Sequence, residues 1–260
     1  MRWLDREIPG TCGRSVRELV ILTGGVALST WEVTREGGPD LGNLAVYVGA
    51  TLLFAARFYL ARAVAVGSCI GAIAQQWPHL RHGLAEADVE TLAVFPVVAL
   101  GLLASQDLIG RFEGAPSKLR LLPNPWAAFT SAETRTLRWA CYAAGALAGL
   151  LDHSLQLTHW ADPPLWPRAA MVSLCAALVV LGLGRAIGLL GVWATGVAVA
   201  LAVAPQVMPA ESAIAGDRLA ASGILFGGGA HYVLPIFGLA VAAAVISTRD
   251  TVRLLGLVRR

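Results

Sequence analysis

FYLARAVAVG, Phe58 to Gly67, places Arg62 inside an apolar run from Leu41 to Trp77, with Arg57 immediately before the quoted stretch. A charge at the centre of a bilayer is costly, so such arginines either carry function or lie outside the membrane interior. Length bears on the choice. At a rise of about 1.5 Å per residue, one helix over the whole run would reach roughly 55 Å, far beyond the ~30 Å hydrocarbon core. The run therefore reads as two crossings, Leu41–Ala56 and Ala63–Trp77. Arg57-Phe-Tyr-Leu-Ala-Arg62 forms the turn of this helical hairpin, and the arginine side chains extend to the interface.

Composition agrees with a membrane solvent. Of 260 residues, 56% are hydrophobic and only 14% charged, with a mean hydropathy of +0.64. An ordinary soluble domain has about 25% charged residues. The basic residues are nineteen arginines and Lys118. On such a chain they report topology and point to no nucleic-acid partner. Cys12, Cys69, Cys141 and Cys175 are scattered, with no Cys-x-x-Cys pair, and read as small buried hydrophobes. The N-terminal MRWLDREIPGTCGRSVRE is polar and basic, and reads as a retained cytoplasmic leader instead of a signal peptide.

The other candidate spans are Val16–Val33, Thr91–Gly110, Leu137–Trp160, Arg168–Gly184, Ala186–Val207 and a segment within Leu219–Ser247. That makes eight in an all-α bundle. With the N-terminus in the cytoplasm, sixteen basic residues fall inside and only Arg35, Arg81, Arg168 and Arg218 fall outside. This asymmetry is the positive-inside pattern of a multi-pass protein in a bacterial-type inner membrane, both termini cytoplasmic. A seven-span count would place half the chain against that rule.

LGLGRAIGLLG, Leu181 to Gly191, again sets one arginine between two apolar runs. Aligning Arg62 with Arg185 gives an offset of 123. The two halves then read as tandem four-helix repeats, each with an arginine at its hairpin turn. The organisation is leader 1–15, first repeat 16–110, Pro-rich basic linker 111–134, second repeat 135–248 and basic tail 249–260. Arg57, Arg62 and Arg185 are topology anchors on this reading; the alternative is a buried functional charge.

The second copy resembles a known family. A helix beginning near Arg138, a broken outside loop, the Gly182-Leu-Gly-Arg185 turn and Gly216-Asp217 before a last helix are similar to the four-helix units of DoxX/HTTM-type membrane proteins. The resemblance covers about Leu137–Ser247 and, more faintly, the first copy. It implies a helical bundle. Its members include quinone-linked redox subunits, maturation factors and vitamin-K-dependent carboxylases. The chain departs from the carboxylase type, because its one lysine, Lys118, lies in the linker.

Polar groups within spans are where chemistry would sit. Glu32, near the outer end of the first span, lies level with Asp152 in the second copy. Asp152 and His159 share a helix face, while His153 points about 100° away. This spacing gives no metal chelate, and these residues are candidates for proton relay or quinone contact, or ordinary residues at a helix end. Asp107 is placed to pair with Arg111 four residues on. Trp77-Pro-His79-Leu-Arg-His82 reads as a solvated loop. Gly227, Gly228, Gly229 and His231, followed by Pro235, interrupt the last span and would accommodate a small ligand or ion. No metal centre or cofactor is assigned.

Three function classes fit. The first is a subunit or assembly factor of a larger membrane complex, with a redox or quinone link as one form. The second is a small-solute or ion transporter using the broken last helix. The third is a membrane-embedded redox or lipid-modifying enzyme using Glu32, Asp152 and His153. The expected partners are the bilayer and other membrane subunits. Co-purifying partners, a hydrated cavity, or a lateral pocket with converging acids would tell them apart.

Overall fold

Ser15 and Glu18 stand three apart just ahead of an apolar run, the arrangement that satisfies two orphan amides at a helix start. The Ser15 hydroxyl accepts from Glu18 N–H at 3.3 Å, and Glu18 Oε2 accepts from Ser15 N–H at 3.0 Å. From this capping box runs α1, Val16–Thr34. The computed structural model describes residues 3–34, 38, 41–75, 96–113, 131–157, 165–207 and 233–254. Among these, α2 is Leu41–Ala55, α3 Ala61–Gln75, α4 96–103, α5 Gln106–Glu113, α6 Ser131–Leu157, α7 Leu165–Gly182, α8 Gly188–Val207 and α9 Val233–Leu254. The described residues are all-helical apart from turns and one isolated bridge between Glu7 and Ser15.

Several bounds differ from the sequence reading for local reasons. The expected span Thr91–Gly110 breaks at Ala104-Ser105, where the Ser105 hydroxyl accepts from Asp107 N–H at 3.2 Å and starts α5 afresh. α6 begins at Ser131, inside the expected linker, with Glu133 in its first turn. Pro235 does not interrupt α9. It sits in the first turn, where its missing N–H has no intrahelical partner to lose.

The chain forms two compact units, one from Met1–Ala65 with Val98–Ala128, the other from Val66–Val97 with Phe129–Arg260. In the first, α1 packs on α2. In the second, α6 packs on α7, α7 on α8, α8 on α9, and α9 back on α6, a helical bundle. The α6 stretch from Ala140 to Leu151 is buried almost all round. Small residues let the backbones close. Gly67 and Gly71, four apart on α3, lie against Tyr142 O, Gly145 and Ala146 of α6. Gly188 and Gly191 of α8 meet Ala177 of α7, and Gly196 meets Ala240 and Ala244 of α9. Trp193 Nε1 donates to Thr248 Oγ1 at 3.1 Å across the α8–α9 contact.

Among the described residues two helices, Leu165–Gly182 and Gly188–Pro205, are long and apolar enough to cross a membrane. Only 28% and 39% of them is buried. On α7 the buried residues are a single stripe, Pro167, Ala170, Leu174, Ala177 and Leu181, while Val172 and Val179 face outward.

The turns α2–α3 and α7–α8 share one backbone pattern. Arg57 N–H donates to Phe54 O at 3.0 Å and Phe58 N–H to Leu53 O at 2.9 Å. Gly184 N–H donates to Leu181 O at 2.9 Å and Arg185 N–H to Val180 O at 3.1 Å. Both are Schellman endings with a left-handed residue, Arg57 (φ 50°) or Gly184 (φ 75°). Residues 56–60 and 183–187 then lead into α3 and α8. The turns therefore correspond at an offset of 127, which is 184 less 57, and not the 123 obtained by aligning arginines. Arg185 matches Phe58, and Arg62 matches Leu189.

Candidate functional site

In the first unit the leader folds over the end at which α1 begins and α2 and α4 terminate. Glu18, capping α1, is fully buried. Its carboxylate is the focus of a cluster of arginines. Arg57, 3% exposed, grips it in a fork: Nε to Oε1 at 2.8 Å and Nη2 to Oε2 at 2.9 Å. A planar guanidinium matches a carboxylate in this way. Arg57 holds a left-handed backbone, which costs an L-residue roughly 1–2 kcal/mol. The corresponding turn in the second unit uses glycine there, so the side chain is what the strained position retains.

The other arginines serve helix ends and the leader. Arg62 lies in the first turn of α3, not at the hairpin apex, and is fully buried. Its Nη1 donates to Leu103 O at 2.9 Å, while Arg17 Nη1 donates to Leu102 O at 3.1 Å. Both complement the negative, unsatisfied end of α4. Arg14 Nη2 donates to Ala55 O, the last residue of α2. Arg17 Nε also binds Asp5 at 2.8 Å. Gly13 O of the leader accepts from Arg57 Nη2 at 2.9 Å and from Arg111 Nη1 at 2.8 Å.

Arg111 on α5 pairs with Asp107 at 2.6 Å, the expected i,i+4 contact, and with leader Glu7 at 3.2 Å. Burial pushes its guanidinium down, but the hydrogen bond and charge of Asp107, with Glu18 and Glu7, hold it above its ordinary range. Arg14 and Arg111 reach Glu18 only at 3.8 and 3.6 Å, because its close contacts are taken. Among the described residues Arg14, Arg17, Arg57, Arg62 and Arg111 thus gather with Asp5, Glu7, Glu18 and Asp107 around these helix ends.

The sequence-level candidates are distributed differently. Arg57 and Arg62 belong to the cluster; Arg185 is exposed. Glu32 is buried on α1, in the first unit. Asp152 and His153 lie on α6, but their side chains, like His159, Gly227, Gly228, Gly229 and His231, fall outside the described residues, as do His79 and His82. Among the described residues no three His, Cys, Asp or Glu side chains cluster as metal ligands. Cys141 is buried as expected, whereas Cys12 and Cys175 are exposed. A groove of about 540 Å³ between α1 and α2 is lined by Val26, Ser29, Thr30, Val48, Thr51 and others. Its hydroxyls donate to their own helices, Ser29 to Gly25 O, Thr30 to Val26 O and Thr51 to Tyr47 O, so no polar donor is aimed into it.

Glu18 and the leader were missed at the sequence level. Ser15-Val-Arg-Glu18 was the available signal, a capping box before an apolar run. Comparison with protein-family models, curated proteins and solved structures finds no match.

Proposed function

We propose that this chain is an integral membrane protein that acts as a subunit or assembly factor of a larger membrane complex. The observation that carries the membrane reading is α7, apolar from Ala169 to Gly182 apart from Ser173 yet buried along one stripe only. Such a helix needs an apolar medium on its remaining faces, and a bilayer supplies one. The subunit reading is supported by where the polar side chains are: the resolved ionic cluster is spent on helix ends and the leader, an architectural use of charge.

The finer reading is of eight spans in two tandem four-helix units, leader and tail on the cytoplasmic side of a bacterial-type inner membrane. The shared Schellman turns support the duplication. The basic excess near these turns supports the orientation. The resemblance to DoxX/HTTM-type units adds a quinone-linked redox complex as the class of partner.

Three measurements test this. Alkaline carbonate should leave the chain in the membrane pellet; recovery in the supernatant would end the membrane reading. Native mass spectrometry after mild detergent extraction should show stoichiometric protein partners, and a chain that always runs alone argues against the subunit reading. A cysteine introduced at exposed Arg185 should react with an impermeant maleimide only after the inner membrane is opened.

A further inference from the structure

The leader is held to the first unit by charge more than by burial. Among the described leader residues 3–14, Leu4 alone is buried. Two acids tie it down: Asp5, 34% exposed, on Arg17 at 2.8 Å, and Glu7, 62% exposed, on Arg111 at 3.2 Å. Two backbone bonds close it over the start of α1. Val16 N–H donates to Arg6 O at 3.1 Å, and Arg17 N–H to Leu4 O at 2.9 Å. These donors are orphan amides of a helix start, which water serves once the segment lifts. Opening strands neither arginine, because Arg17 keeps Leu102 O while Arg111 keeps Asp107 and Gly13 O. The pivot is the turn over residues 10–13, where left-handed Cys12 (φ 54°) holds a strained backbone that opening relieves.

We propose that residues 3–9 form an ionic strap, closed over the start of α1 at low ionic strength and opened when its two acids are screened. Ion pairs exposed on one side contribute little each and weaken further in salt. The strap therefore sits near the balance between its two states. What it covers is the positive start of α1, flanked by Arg17 and Arg111, which the leader's own acids occupy when closed. The proposal stands independently of the membrane reading.

Trypsin reports the opening, because the Arg6 carbonyl is bonded to Val16 N–H in the closed strap and cleavage after Arg6 requires that segment to be free. The full chain in mild detergent is digested at about 0.01 M and about 1 M salt, where the Debye length falls from roughly 30 Å to 3 Å. A free peptide of the leader sequence corrects for the salt response of trypsin itself. Corrected cleavage after Arg6 should rise roughly two- to tenfold, as two such ion pairs imply. Glu7→Gln should be cut faster already at low salt and respond less to added salt, with its melting temperature unchanged. Arg185→Gln, at the exposed turn of the other unit, should behave as the unaltered chain. Cleavage equally slow at both salts overturns the strap, as does cleavage at the peptide's own rate in low salt. So does a Glu7→Gln chain cut like the unaltered one. A rise accompanied by cuts at buried Arg17 or Arg57 reports unfolding of the whole unit and overturns it too.

Discussion

Replacing Glu18 by glutamine is expected to destabilise the first unit by about 3–5 kcal/mol, the cost of removing one partner of a buried ion pair. The substitution preserves shape and leaves an oxygen for the Ser15 amide. What it removes is the charge that holds Arg57, itself 3% exposed, and toward which Arg14 and Arg111 lean at 3.8 and 3.6 Å. The glutamine also turns an NH₂ group toward guanidinium donors. Arg57→Gln should cost a similar amount. The double variant should cost less than the two single changes together, because each single change strands the other's buried partner. Thermal unfolding of the purified chain, with protease sensitivity of the leader read alongside, measures all three. Additive losses would mean that Arg57 and Glu18 stand side by side without depending on each other.

The helices were legible because apolar runs long enough to form them are written plainly; α1, α2, α7 and α8 lie within three residues of the expected bounds at either end. The break between α2 and α3 was legible from length alone. Its chemistry was not. Arginine-to-arginine alignment compares side chains, whereas the turns correspond through backbone hydrogen bonds, with Arg57 standing where the second unit has Gly184. Nothing in the one-dimensional pattern marks a left-handed arginine. Nor does the pattern show that Arg62 is turned onto a helix-end carbonyl, since that carbonyl, Leu103 O, is 41 residues away. The leader, polar and basic, was read only as a retained cytoplasmic segment. Its acids and Arg14 in fact meet Arg17 and Glu18 of α1 and Arg111 of α5, while its Gly13 carbonyl accepts from Arg57 of the α2–α3 turn, and only the capping box announced the first of those contacts.

The second large effect is expected at Gly196, where the backbone of α8 lies directly against that of α9. A Cβ there would lie 2.8 Å from Ala240 O and 2.9 Å from Ala244 N, both backbone atoms of α9. Neither can rotate away, so the helices must separate. Overpacking of this kind costs about 1–3 kcal/mol, and a bulky side chain reaches the upper end or exceeds it. Gly196→Leu should therefore unfold the second unit at a markedly lower temperature, although leucine is the better helix former by roughly 1 kcal/mol. Gly238, on α9 itself, provides the contrast, since a Cβ there would meet nothing within 4 Å. Gly238→Ala should raise stability by up to about 1 kcal/mol through helix propensity. Opposite signs for these two glycines on one helix pair are what close backbone packing demands. If Gly196→Leu melts like the unaltered chain, α8 and α9 do not meet as described, and the small residues Ala240, Ala243 and Ala244 lose their explanation as the surface that admits a neighbouring helix.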